Sequence, residues 1–131
     1  MQIIQPPDWL RPKGYSNGML ADGKMLFIGG QIGWDENEQI VSDDFIAQVR
    51  QTLMNTKAVL SAANANTAHI ARMTWYITSR DEYLANLNDI GAVYREIMGK
   101  HFPAMAMVEV SALMESRAKV EIETTAVIPY E

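Results

Sequence analysis

The chain has 131 residues, 48% of them hydrophobic, and a formal charge of −5. That length and apolar content suit one domain spanning residues 1–131, with a core that needs no covalent staples. The absence of cysteine excludes disulfides, thiolate metal sites and a catalytic thiol. The eleven lysines and arginines are scattered without a run, which disfavours nucleic acid as the main partner. Pro6, Pro7 and Asp8 interrupt the first ten residues, so no signal peptide is expected there. No stretch approaches the ~20 apolar residues of a membrane helix. A cytoplasmic protein with no membrane partner is the expectation.

Residues 2–5 suit a short strand, stopped by Pro6 and Pro7. Residues 13–18 read as a loop. A hairpin follows, from Met19 and Leu20 through a turn at residues 21–24 into a strand over 25–29. Asp22-Gly23 is its turn signal. Gly29-Gly30-Gln31-Ile32-Gly33 then ends the strand, as a bulge or as a close approach of backbone to a ligand.

Ser42 can cap a helix whose first turn holds Asp43 and Asp44. Phe45, Val49, Leu53, Thr56 and Leu60 recur at helical spacing, widened by Ile46 and Val59. The pattern fades near residues 64–66. Residues 70–78 alternate, with Ala71, Met73, Trp75 and Ile77 on one face and Arg72, Thr74, Tyr76 and Thr78 on the other. A second helix is expected from Asp81 to Gly99. Phe102-Pro103 breaks the chain, and residues 104–110 form a strand with Met105, Met107 and Glu109 on one face. The last strand, 117–127, sets Ala118, Val120, Ile122, Thr124 and Ala126 opposite Lys119, Glu121, Glu123 and Thr125.

This order suggests an α+β sandwich, with two helices on one face of a mixed sheet. Met105 and Met107 are expected on the uncovered face, among aromatic and polar residues. Such a face calls for a homo-oligomeric partner.

No serine-hydrolase elbow, P-loop or zinc-protease motif is present. His69 and His101 lack ligand-spaced partners, so no metal is expected. Glu121 and Glu123 share a strand face. They are either solvated or placed for one to act as general base. Tyr15, in a Gly-Tyr-Ser loop, reads as a half-buried packing residue. Met105 and Met107 read as core or interface filler.

Gly14-Tyr15-Ser16-Asn17, Phe27-Ile28-Gly29-Gly30-Gln31-Ile32-Gly33, Phe102-Pro103-Ala104, Val108-Glu109-Val110 and Val120-Glu121-Ile122-Glu123, with the helix over 48–60, resemble the RidA/YjgF pattern in order along nearly the whole chain. The resemblance implies a chorismate-mutase-like fold. It also implies a homotrimer with a central β-barrel and three ligand clefts between subunits. Its best-known members hydrolyse enamines and imines such as 2-aminoacrylate to a keto acid and ammonia, with no cofactor. Carried over by position, Tyr15 and Glu121 match a pocket tyrosine and the carboxylate that holds the attacking water. Gly29 stands where active deaminases commonly have serine, followed by a matching Gly30, and Asn88 matches a pocket asparagine.

Met105 departs from the pattern, since imine-deaminating members place a carboxylate-gripping arginine there. Losing that charge-assisted contact costs about 1.5–3 kcal/mol. It also removes the orientation given by a forked guanidinium. A pocket made more apolar by Met105 and Met107 suits a larger or less acidic substrate, with Arg72 or Arg117 as possible replacements for the arginine. The alternative is a non-catalytic trimer that binds a small metabolite or a protein. A ribonuclease or translation inhibitor ranks last.

Overall fold

The structure, a computed structural model, describes residues 1–131. The small strands β1 (Gln2–Ile4) and β2 (Gly18–Leu20) pair only with each other. The main sheet holds β3 (Lys24–Ile32), β4 (Ile70–Ile77), β5 (Ala104–Glu109) and β6 (Val120–Ile128), in the order β3-β6-β4-β5. Only β4 and β5 run parallel. Helices α1 (Phe45–Ala62) and α3 (Leu87–Met98) pack side by side on one face of this sheet. The α+β sandwich with a mixed sheet is therefore as expected. No helix is long and apolar enough to cross a membrane.

The core lies between the sheet and α1 and α3. Val49, Leu53 and Leu60 of α1 meet Met73, Trp75 and Ile77 of β4 and Val120, Ile122 and Ala126 of β6 there. The helical and alternating patterns thus point the residues they should. At the start of β4 a bulge between Ile70 and Arg72 puts Ile70, rather than Ala71, into the core.

Four local expectations are corrected. The 19–29 hairpin does not form, because β2 pairs with β1 and β3 pairs with β6. Asp22-Gly23 instead carries the chain from the small sheet to the large one. A Cβ at Gly23 would lie 2.8 Å from the carbonyl carbon of Ile128. Asp44, not Ser42, caps α1, accepting the Ala47 N–H at 2.9 Å while the Ser42 hydroxyl accepts the Asp44 N–H.

The second helix is broken into α2 (Arg80–Ala85) and α3. The Asn86 amide donates back to the Glu82 carbonyl at 2.7 Å, and such local bonding competes with a continuing helix. Finally, Met105 and Met107 pair with Met73 and Trp75, so they face the helix layer. The uncovered face of β5 carries Ala104, Ala106 and Val108 instead.

Candidate functional site

The β3–β6 pair is irregular at the glycines. Ile28 pairs with Thr124 and Gln31 with Ile122, so Gly29 and Gly30 bulge opposite Glu123. The extra residue re-aims the strand locally. Gly30 then lies against the side chain of Glu121. A Cβ there would come within 2.8 Å of the Glu121 carboxyl carbon. Glu121 is half-buried, and its carboxylate forms no hydrogen bond or ion pair within the chain.

The neighbouring Glu123 is engaged differently. It accepts the Tyr76 hydroxyl at 2.7 Å. That hydrogen bond holds the Tyr76 phenol above its ordinary pKa. Burial and the negative charges of Glu123 and Glu121 add to the effect, and Arg72 opposes it. Of the two carboxylates, Glu121 is the one left free.

Gly29 opens onto a cavity of about 410 Å³, shared with Phe27, Arg72, Thr74, Glu123 and Thr125 on the uncovered sheet face. Arg72 therefore stands on the glutamates' side of the sheet. Arg117 does not. Its guanidinium binds Asp43 at 2.9 and 3.1 Å, beside the loop that precedes α1.

Tyr15 is elsewhere. Its loop is pinned to the start of β5, where the Ser16 N–H donates to the Pro103 carbonyl at 3.0 Å and the Ser16 hydroxyl to the Phe102 carbonyl at 2.5 Å. Ser16 bridges to Ala104, which pairs with Arg72, whereas Glu121 pairs with Tyr76, four residues further along β4. At about 3.3 Å per residue that is a separation of roughly 13 Å along the strand. Asn88 is exposed on the first turn of α3 and lines neither cavity. Within one chain, then, Glu121, Gly30 and Gly29 are together. Tyr15 and the half-buried Met105 are near the opening of β5, and Asn88 stands apart.

Tyr15 borders a second cavity, of about 650 Å³, whose other walls include Arg11, Lys13, Lys100, His101 and Phe102. None of these basic residues stood out in the sequence. Arg11-Pro-Lys13 and Lys100-His101 are short, ordinary pairs far apart in the chain, and only the docking of the Tyr15 loop on residues 102–104 brings them together.

Both histidines have structural partners. His69 Nδ1 accepts the Asn66 N–H within a capping box, and His101 Nε2 lies 2.6 Å from the Ile70 carbonyl oxygen.

Comparison with known proteins agrees with this architecture. The family model "Endoribonuclease L-PSP" matches residues 10–128. Protein DfrA of Myxococcus xanthus is 37% identical over 129 residues, covering 94% of this chain and 90% of that one. The 2-iminobutanoate/2-iminopropanoate deaminase of Salmonella typhimurium is 33% identical, covering 80% of each. Among solved structures, the Rid-family protein YyfB of Yersinia pestis superposes with a TM-score of 0.84 at 31% identity, covering 97% of this chain and 98% of that one. With the family model matching almost the whole chain and the fold shared with a solved Rid protein, the chain belongs to the RidA/YjgF family, whose model carries the endoribonuclease L-PSP description.

Proposed function

We propose that this protein hydrolyses a small enamine or imine to a carbonyl compound and ammonia, with no metal or organic cofactor, as a homotrimer with its sites in clefts between subunits. The deaminase names of its relatives support the reaction class. The observation that carries the reading is the unpaired, half-buried carboxylate of Glu121 held against Gly30.

Glu121 takes a proton from water as the water oxygen bonds to the imine carbon, and returns that proton to the nitrogen. The resulting carbinolamine loses ammonia and leaves a carbonyl. The atoms balance with water as the only co-reactant, and a carboxylate positioned for general base work suffices. Gly29 and Gly30 let the substrate approach the backbone closely, and Tyr15 hydrogen-bonds it.

Tyr15 and Glu121 lie at opposite ends of the sheet in one chain, which favours a site completed by a second copy. The exposure of Phe27 (71%) and Met25 (60%) on the uncovered face favours the same assembly. Met105, beside the docked Tyr15 loop, is assigned to the edge of this cleft, where an uncharged side chain alters substrate choice; Met107 packs against the helix layer and Asn88 stands apart on α3.

A second reading, a trimer that binds a small metabolite without turning it over, is favoured by one observation. Met105 packs toward Met73 and supplies no charge at the position where the family resemblance implies an arginine. Cleavage of RNA is disfavoured, because His69 and His101 are both held in structural contacts. The readings separate in an assay of ammonia release from 2-aminoacrylate generated in situ and from 2-aminomuconate. Release above the uncatalysed rate supports the hydrolase. Binding with no release from any imine supports the second reading.

A further inference from the structure

The cavity beside Tyr15 carries more charge than a packing defect would. Arg11, Lys13 and Lys100 border it, no acidic residue does, and none of the three is in an ion pair. Elsewhere Arg50, Arg117 and Lys119 are each matched by a carboxylate, and the other unpaired cations, Lys24, Lys57, Arg72, Arg80 and Arg95, do not line this cavity. In a chain of net charge −5, three unmatched cations around one concavity are a local reversal of sign. Like charges gathered this way repel, and a concave surface focuses their field on whatever enters.

The walls are also held in place. Phe102 stacks on Tyr94 with ring centroids 5.6 Å apart. The Tyr94 hydroxyl donates to the His101 carbonyl at 2.8 Å, and the His101 ring is tied to the Ile70 carbonyl. Across the cavity, Ser16 fastens the 11–16 loop to residues 102 and 103. Gln5 takes the Asn17 amide at 2.6 Å and donates to the Trp9 and Leu10 carbonyls, so the approach to Arg11 is braced as well. Preformed walls spare a ligand the entropy of ordering them.

We propose that this cavity binds a small organic dianion with an apolar body. Arg11, Lys13 and Lys100 meet its acidic oxygens, and Tyr15 and Phe102 pack on the remainder. The volume, about 650 Å³, suits a metabolite-sized ligand. Three cations call for more than one negative charge, and the aromatic walls call for more than a bare ion. The proposal rests on the reading of the Tyr15 cavity as part of the substrate cleft. It deepens that reading by placing the anion grip on these three residues instead of on residue 105, which is Met in this chain. Carboxylate and phosphate monoester oxygens share the required chemistry.

The test is calorimetric titration with isophthalate, phenyl phosphate, inorganic phosphate and neutral benzyl alcohol. It uses the wild type, Arg11→Gln, Lys13→Gln, Lys100→Gln, the triple variant and Lys57→Gln as a charge-matched control outside the cavity. All the substituted side chains are exposed, and unchanged melting curves verify that each variant folds. Isophthalate or phenyl phosphate should bind, the preferred one identifying the acid group, with inorganic phosphate weaker and benzyl alcohol silent. Each single loss in the cavity should weaken binding roughly two- to fivefold. The triple variant should lose it, and Lys57→Gln should not change it. Raising salt from about 50 to about 500 mM should weaken it further, as screening requires.

The proposal is overturned if the triple variant binds like wild type, or if Lys57→Gln weakens binding as much as the cavity variants do. Because binding is read without turnover, the two ideas can fail separately. Charge-dependent dianion binding with no imine hydrolysed sinks the hydrolase alone. Hydrolysis of neutral imines with no dianion binding sinks this proposal alone.

Discussion

Gly30 and Glu121 lie against each other across the β3–β6 pair, so closely that residue 30 has no room for a side chain unless the Glu121 carboxylate moves. The bulge at Gly29-Gly30 and the placement of a free carboxylate are thus one feature of the fold.

Gly30→Ala tests that coupling. Its Cβ meets the end of a flexible side chain, so the fold can yield cheaply, and the melting temperature should stay within about 3 °C of wild type. Displacing the carboxylate by even an ångström should lower imine hydrolysis roughly a hundredfold. Wild-type turnover in a folded Gly30→Ala protein would show that the position of Glu121 does not matter.

Gln48 is the buried polar residue most committed to the fold. Its amide donates to the carbonyls of Ser42 (2.8 Å) and Arg117 (3.0 Å), and its oxygen accepts the Lys119 N–H at 2.8 Å. It joins the start of α1 to the segment entering β6. Gln48→Leu leaves three backbone groups without a partner and should cost about 3 kcal/mol in urea unfolding. A loss below about 1 kcal/mol would mean that water replaces the amide readily.

Burial pushes the Tyr94 phenol above the ordinary tyrosine range. The folded state therefore holds this proton more tightly than the unfolded chain does. Its contribution is complete below about pH 10, the unfolded value, and is lost as pH rises through the folded value. Unfolding midpoints measured between pH 8 and about pH 11 should fall more steeply for wild type than for Tyr94→Phe. Parallel curves would assign the alkaline loss to another group.

The uncovered sheet face predicts an assembly. Light scattering should return the mass of three 14.7 kDa chains. Phe27→Asp, which places a charge on that face, should shift the mass toward one chain and abolish turnover. A wild-type mass of one chain would remove the intersubunit site.

The periodic parts of the fold were legible in the sequence. Phe45, Val49, Leu53, Thr56 and Leu60, and the alternation from Val120 to Ala126, specify which side is buried, and the core uses those residues. Pairing was not legible. Asp22-Gly23 has the chemistry of a hairpin turn, yet β2 finds β1 and β3 finds β6, because strand partners are chosen by tertiary packing. The alternation of β5 was correct, but its facing was not. Register with Met73 and Trp75 turns Met105 and Met107 toward the helices. At the candidate site, Glu121 and Gly30 carried a signal as sequence motifs. The Arg11, Lys13 and Lys100 cluster carried none, since it exists only after residues 11–16 dock beside residues 100–103.

The role of Glu121 as the base is read by comparing Glu121→Gln with wild type in ammonia release from 2-aminoacrylate generated in situ, alongside melting curves. Glutamine keeps the shape and removes the base, so kcat should fall roughly 10²- to 10⁴-fold while the melting temperature holds. Equal rates in the two folded proteins would contradict the assignment of Glu121 as the residue that activates water.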